Sequence, residues 1–379
     1  MDVLKDFDHR GPAAAPAGFA APQAAPALTF SGSGAEYFRI WVVNLLLTVA
    51  TLGIYSAWAK TRRLQYFYRN THLAGASFDF LGKPTAILRG RLLAVVVLAA
   101  YHYAFGFSVT AGVVIVGVLL LGLPFMMRSA LRFRLSNTWY RGLPFGFSGG
   151  LGKAYLAYLP PVALLLVPGA LIALGLDPKL AGALFLLYLF FPLMHGAMKA
   201  YQHRHLMYGD QAADFPLSFA RLAVPYLYAF LMGLGALVAV IAVSALSFSI
   251  GKKSGGGAAV SLIIGIVLFY LSFLLIAPYV LVRMNNRAWS ATSFPGIGIA
   301  CRMTVRGYLK LQIVNVLLTV LTLGLFRPFA AVRTWRYRVE HLHIDAPAGF
   351  EQATAAAQRR PVAAAGDGVA DFIGVDLSW

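Results

Sequence analysis

Apolar residues fill six long runs, at about 92–108, 111–127, 154–175, 180–198, 222–247 and 258–282, and polar and basic residues keep to the stretches between them. A hydrocarbon core about 30 Å thick takes roughly 20 helical residues, usually 17–25, so each run predicts a helix able to cross a bilayer. The runs pair into three hairpins, closed at 108–110, 176–179 and 248–257. Between hairpins the pattern shortens to alternation: LTFSG from Leu28, FDFLG from Phe78, FGFSG from Phe145, FPLSF from Phe215 and FPGIG from Phe294. These predict short strand-like segments, each just before the next apolar segment, and most follow a turn such as NTHLAG (70–75) or NTWYRG (137–142). The unit is therefore a strand-like F-x-F, a membrane passage, a basic helical extension and a turn.

Two further segments organise the chain. Tyr37 to Asn70 reads YFRIWVVNLLLTVATLGIYSAWAKTRRLQYFYRN, and most of it returns 271 positions later as YLKLQIVNVLLTVLTLGLFRPFAAVRTWRYRVEH. One ungapped register aligns Asn44 with Asn315, Thr48 with Thr319, Thr51 with Thr322, Leu52 with Leu323, Gly53 with Gly324, Arg62 with Arg333 and Tyr66 with Tyr337. Such self-similarity is the signature of an internal repeat. Each copy is an apolar run broken at Thr-Leu-Gly and followed by an aromatic segment whose arginines, three to four apart, share one helical face.

The run N-L-L-L-T-x-x-T-L-G-I-Y-S-x-W-A-K-x-R-R-L-x-Y-F-Y-x-N-T resembles the signature of the YjgN family of bacterial inner-membrane proteins, over roughly residues 28–350. The second copy departs from it, with Phe326-Arg327-Pro328 in place of Tyr55-Ser56-Ala57 and Phe329 in place of Trp58. The resemblance implies a multi-spanning inner-membrane protein without an established activity.

Composition agrees with the pattern. The chain is 59% hydrophobic and 12% charged with a mean hydropathy of +0.70, far more apolar than a soluble domain. Residues 1–27 lack the apolar core of a signal peptide and, like 351–379, read as loose tails flanking a membrane domain at 28–350. A net charge of +18 suggests nucleic acid, but the basic residues gather in alternate loops, as topology requires. Stretches 60–91, 128–153, 199–221 and 283–310 hold 7, 5, 3 and 5 Lys and Arg, while the hairpin tips hold only Lys179, Lys252 and Lys253. The tips therefore face away from the cytoplasm, and both termini fall on the cytoplasmic side. The single cysteine, Cys301, excludes an intramolecular disulfide.

The related segments pose a topological problem. If both crossed fully, their basic extensions would end on opposite faces, with Arg327, Arg333, Arg336 and Arg338 outside against the charge rule. The favoured solution is an all-α polytopic protein with six full spans and two re-entrant or interfacial helices, each turning at Gly53 or Gly324 on the cytoplasmic side. Asn44, Thr48 and Thr51, with Asn315, Thr319 and Thr322, then satisfy backbone groups freed at the break. Eight full spans is the rival. In the six-span arrangement all five F-x-F segments lie on the cytoplasmic side, where a small sheet beneath the bundle is open to them.

Candidate chemistry is sparse. All fourteen acidic residues fall outside the six runs, whereas ion-coupled transporters place ionisable groups at membrane depth. His102, between Tyr101 and Tyr103, is the one ionisable residue clearly inside a run; it either lines a cavity or sits in the outer aromatic belt. Pro160, Pro161 and Pro168 in the third run predict a kink or a broken helix. His195, His203 and His205 near the end of the fourth invite a metal, yet His-x-His alone supplies too few ligands. Arg62, Arg63, Arg128, Arg132, Arg283, Arg287, Arg333 and Arg336 follow apolar segments among aromatic residues; they read as topology anchors or as a surface for anionic lipid head groups. Gly149-Gly150-Leu151-Gly152-Lys153 lacks phosphate-loop spacing, and no nucleophile or zincin motif is present. Neither catalytic residues, a cofactor nor a metal is expected. The expected partners are membrane lipids, anionic at the cytoplasmic face, and the leading function is binding or passage of a small or amphipathic solute. A non-transporting lipid-binding scaffold or assembly factor is the alternative.

Overall fold

The computed structural model describes residues 27–251, 257–346 and 350–355. Six helices within these are long and apolar enough to cross a membrane: Pro84–Phe107, Val109–Ser136, Leu151–Ala173, Gly182–Arg204, Phe219–Ile250 and Gly257–Ser290. They coincide with the six apolar runs. Their outer surfaces are dense with exposed leucine, valine and phenylalanine, which in water would be an aggregation surface and in lipid is a match to the solvent.

The chain runs as five helical hairpins joined by strands. These are α1 (Gly34–Ala50) with α2 (Ser56–Arg69), α3 (Pro84–Phe107) with α4 (Val109–Ser136), α5 (Leu151–Ala173) with α6 (Pro178–Leu184) and α7 (Phe191–Arg204), α8 (Phe219–Gly251) with α9 (Gly257–Ser290), and α10 (Val305–Leu321) with α11 (Arg327–Glu340). The hairpins pack in chain order, α2 on α3, α4 on α5, α7 on α8 and α9 on α10, and α11 returns to α1. The helices therefore form a closed ring. The proline-rich α5 is continuous through Pro160, Pro161 and Pro168; the interruption falls in the next run, where a 3-10 turn at Phe185–Phe190 separates α6 from α7.

Beneath the helices the strand-like segments do more than form a small sheet. Ten short strands pair antiparallel: β1 (Thr29–Phe30), β2 (Thr71–Leu73), β3 (Ala76–Phe80), β4 (Thr138–Tyr140), β5 (Leu143–Phe147), β6 (Leu206–Tyr208) and β7 (Gln211–Ala212) in one sheet, and β8 (Ser293–Phe294), β9 (Ile297–Cys301) and β10 (Leu342–Asp345) in another. Single bridges join the sheets at both ends, Asp214 with Ser293 and Ala27 with His343. The ten strands thus close on themselves, which removes every free edge. The expectation of an all-α chain is corrected accordingly: it is mostly helical, with a closed strand ring at one end. Two expected segments are displaced, since Phe215 follows the Asp214 bridge outside β7 and Phe294 ends β8, leaving Ile297–Cys301 as the strand that leads into α10. Two-residue turns at Ala74-Gly75 and Arg141-Gly142, both residues at positive φ, suit the twist of the hairpins they close.

The F-x-F spacing has a structural reason. Residues two apart share a strand face, so the first residue points into the ring and the second rises against the helices. Leu28, Phe78 and Phe145 line the interior, whereas Phe30, Phe80 and Phe147 join clusters with Phe67 of α2, Phe133 of α4 and Tyr201 of α7. The glycine that follows is needed for this. A Cβ on Gly32, Gly82 or Gly149 would stand 2.5 Å from the ring of Phe30, Phe80 or Phe147.

Each helix-to-strand junction is sealed by one device. The residue at or just past the helix end bonds the carbonyl four residues back: Asn70 to Tyr66 (2.8 Å), Asn137 to Phe133 (2.8 Å), His205 to Tyr201 (2.8 Å), Thr292 to Ala288 (2.8 Å) and His341 to Tyr337 (2.7 Å). This satisfies carbonyls that the helix end orphans.

The related segments take one local conformation. In both, the apolar helix ends where Leu52 or Leu323 enters the left-handed region at φ 50°, followed by Gly53 at 92° or Gly324 at 95°. Gly53 N donates to Thr48 O and Gly324 N to Thr319 O, each at 2.7 Å. Thr51 Oγ1 accepts from Tyr55 N and Thr322 Oγ1 from Phe326 N, each at 2.9 Å, so the threonines cap the returning helix. Thr48 and Thr319 donate to the carbonyls of Asn44 and Asn315. The far ends are clamped alike: Tyr66 OH accepts from Ser33 N (2.9 Å) and Tyr337 OH from Thr304 N (3.2 Å). Each hairpin therefore leaves the strand ring and returns to it.

Residues 1–26 and 356–379 of the expected loose tails, and Lys252 and Lys253 of the third tip, lie outside the described residues. Residues 350–355 form a short helix, α12, rather than the start of a loose tail at 351.

Candidate functional site

The strand ring lines a partly open cavity of about 260 Å³. Its floor is apolar: Leu28, Leu73, Tyr140, Tyr208, Ile297 and Ile344 form one buried cluster with Phe350. Phe350 belongs to α12, which lies against the end of the ring remote from the helices; its ring is 6.3 Å from that of Tyr140, and the Arg141 guanidinium lies 5.5 Å from its centroid. Burial pushes the Tyr208 phenol up to about 12 and raises the Cys301 thiol, which also lines the cavity. Both groups are neutral at physiological pH.

The roof is polar. Arg134, four residues before β4, and Arg338, four residues before β10, reach the cavity from the last turns of α4 and α11 beside Asn285 and Trp335. Arg134 Nη2 donates to Tyr68 OH and Arg338 Nη2 to Tyr308 OH, both at 3.3 Å. Arg338 Nε is buried without a partner. Lys199 of α7 lies within Coulomb range of both guanidiniums. Among the described residues no aspartate or glutamate lines the cavity. Two guanidiniums thus reach the cavity where helices meet strands, with an apolar well below them. A buried cation without a carboxylate is costly, and the arrangement suits an anion.

Most residues singled out from the sequence lie elsewhere. His102 is exposed on α3, edge-on to Tyr103, and does not line the cavity. The other histidines make structural contacts: His195 meets Tyr226 OH (2.9 Å), fully buried His203 meets Thr292 Oγ1 (2.9 Å), and His205 caps α7. Among the described residues no group of three His, Cys, Asp or Glu stands close enough to hold a metal. Asn44 and Asn315 are buried between hairpin helices, each with an unpartnered Oδ1.

The eight arginines divide. Arg128 Nε donates to Gly149 O (2.6 Å) and Arg336 Nη2 to Gly32 O (2.7 Å), tying helices to the loops between elements, and Arg287 Nη1 donates to Arg221 O (2.8 Å) in the first turn of α8. Arg62, Arg63, Arg283 and Arg333 stack on Tyr55, Phe67, Tyr279 and Phe326 at 5.8–6.0 Å, and Arg132 also makes side-chain interactions. Arg134, Arg338 and Lys199 were not distinguishable by type from topology anchors. A signal existed in their register. Aligned on the first strand residue, the position four before it holds Phe67, Arg134, Gln202, Trp289 and Arg338, one inward position per hairpin.

Comparison with known proteins places the chain. It is 26% identical over 340 residues, 80% of this chain and 85% of the relative, to inner membrane protein YjgN of Salmonella typhimurium. It is 31% identical over 140 residues, about a third of each chain, to the proteins of the same name in Escherichia coli O157:H7 and K12. No solved structure matches. The model of a family described as bacterial protein of unknown function, DUF898, matches residues 25–372, and the chain belongs to that family.

Proposed function

We propose that this chain is a multi-pass protein of the bacterial inner membrane whose strand ring is a cytoplasmic binding chamber for a small amphipathic solute. The observation that carries this reading is the partly open cavity of about 260 Å³, apolar at its floor and with two guanidiniums at its roof, near the lower end of small-molecule sites at roughly 300–1,000 Å³. Binding rather than catalysis is favoured because, among the described residues, the lining offers no nucleophile–base pair and no carboxylate. Trp289 and Trp335 both line the cavity, so a brominated single-chain amphiphile that enters it quenches their fluorescence in nanodiscs. Narrowing the cavity with Leu73→Trp or Ile299→Phe should abolish the part of the quenching that Trp335→Phe removes. Quenching indifferent to both fillings refutes the chamber.

The charge pattern supports a cytoplasmic position for the ring. We read the two related segments as copies of one unit that dip from that side and return. Their apolar helices have 17 residues each, about 25 Å at 1.5 Å per residue, short of a 30 Å core. Their far ends are clamped beside the ring by Tyr66 and Tyr337. Both ends of the chain then lie in the cytoplasm. Maleimide labelling of Arg62→Cys and Arg333→Cys should reach both from one face; labelling from opposite faces refutes the arrangement.

A second reading, an anionic-lipid-binding scaffold, is favoured by Arg62 and Arg333, which stack at matching positions on Tyr55 and Phe326. Phosphatidylglycerol retained in native mass spectra and lost in Arg62→Gln/Arg333→Gln, with the chamber unliganded, is its distinguishing result.

A further inference from the structure

We infer that the chamber selects a free, single-chain anionic amphiphile and holds it with its charged head toward the membrane, on Arg134 and Arg338, and its apolar chain pointing away from the bilayer toward Phe350. The inference rests on the chamber reading and adds charge, chain number and orientation.

Three features carry it. The charge gradient along the cavity has one direction: the cations stand at the helix–strand junction, and the opposite end is the apolar cluster closed by α12. The roof already holds unused donor capacity, since Arg338 Nε is buried without a partner. A carboxylate or phosphate oxygen is the acceptor that a guanidinium binds most strongly, with two parallel bonds where geometry allows. Among the described residues no carboxylate lines the cavity to compete.

Orientation then excludes the commonest anion at hand. A phospholipid of the adjoining leaflet keeps its head at the interface and its chains in the hydrocarbon, the reverse of the polarity built into the ring. To bind here it would have to push its acyl chains into the cytoplasmic end, through a roof already occupied by Trp335, Asn285 and the two arginines. A cavity of about 260 Å³ is also at the small end of ligand sites. One chain with one head meets both constraints. Carboxylate and phosphate heads satisfy the roof equally, so the ligand class is an alkyl or aryl monoacid.

The test uses the full chain in phosphatidylcholine nanodiscs, reading the quenching component lost in Trp335→Phe. The probes are dodecanoate brominated beside its carboxylate or at its methyl end, the matching methyl esters, monododecyl phosphate as an unbrominated competitor, and a phosphatidylglycerol with brominated chains. Trp335 lies at the roof level, so the carboxyl-end bromine should quench it more than the methyl-end bromine. Loss of a charge-assisted bond should make the ester bind roughly ten- to hundredfold more weakly than the acid, and Arg338→Gln should weaken the acid by a similar factor. Arg338→Lys, which keeps the charge, should restore most of the affinity and shows that the site still folds. The alkyl phosphate should displace the acid.

Stronger quenching from the methyl end overturns the orientation. Ester binding as tight as the acid, or binding indifferent to Arg338→Gln, overturns the anionic head while leaving the chamber standing. Quenching by the brominated phosphatidylglycerol that displaces the acid overturns the choice of a free single-chain ligand. If no amphiphile quenches the Trp335 component, the chamber reading itself fails.

Discussion

Replacing Leu323 with asparagine tests where the hairpin tips reside. Leu323 and Leu52 are each 95% exposed and hold φ 50°, a backbone region that costs an ordinary residue roughly 1–2 kcal/mol and that asparagine tolerates. In water, Leu323→Asn relieves that strain and loses nothing, so it should stabilise by about 1 kcal/mol. In hydrocarbon, the leucine side chain contributes about 1.5–3 kcal/mol through burial, and the amide that replaces it costs about 1–3 kcal/mol to desolvate. The sum of these terms less the relief of about 1 kcal/mol is a net loss of about 1.5–5 kcal/mol. The two environments thus predict opposite signs. Thermal unfolding in nanodiscs, followed by the fluorescence of a ring tryptophan, should show a lower midpoint for Leu323→Asn and for Leu52→Asn. A bimane on Leu323→Cys should emit to the blue of its position in water. A raised midpoint together with an aqueous bimane spectrum would refute membrane insertion of the tips.

Gly53→Ala and Gly324→Ala meet no atom within 4 Å of the added Cβ, so the loss read by chemical denaturation in nanodiscs should be backbone strain alone, about 1–2 kcal/mol. Tyr66→Phe leaves Ser33 N without its 2.9 Å acceptor and should cost about 1–2 kcal/mol in the same assay; Tyr337→Phe should match it. Burial first, and then Glu36, raises Tyr66 to about 12, and burial raises Tyr208 to about 12. Because the folded state holds these protons more tightly than the unfolded chain, stability should be complete below pH 10 and fall between pH 10 and 12. Tyr66→Phe should flatten part of that decline in an alkaline denaturation series. Cys301 is buried with its thiol raised, so the native protein should react with maleimide far more slowly than the denatured protein.

Much of this architecture was legible in residue order because its signals are local. The six apolar runs, the Thr-Leu-Gly break and the alternation in FDFLG and FGFSG each report a neighbourhood of a few residues. What could not be read locally is long-range partnering. Nothing in LTFSG names His343 as the neighbour of Ala27, and nothing in FPGIG names Asp214, so ten strand fragments gave no hint of closure. The third run carried the prolines, but tight neighbours on α4 and α7 keep α5 helical, and the irregular turn fell at Phe185–Phe190, a segment with no proline or glycine of its own. The site was obscured for a related reason. Arg134 and Arg338 lie 204 positions apart in sequence and become a pair only through the ring, whereas His102, conspicuous in an apolar run, faces outward. The helix-ending histidines looked like metal ligands because residue type and spacing do not show that His205 is held on the Tyr201 carbonyl, nor that His203 and His195 are held on the hydroxyls of Thr292 and Tyr226.

Pairing between the first strand and the last has a consequence for biosynthesis. The hairpins can enter the bilayer one after another as they leave the ribosome, but Ala27, just before β1, must wait for His343 of β10, more than three hundred residues later. Until that strand emerges, the compartment has an open seam. Closure of the ring therefore follows insertion of all six long helices, and a chain stopped before β10 would possess those helices while lacking a closed ring.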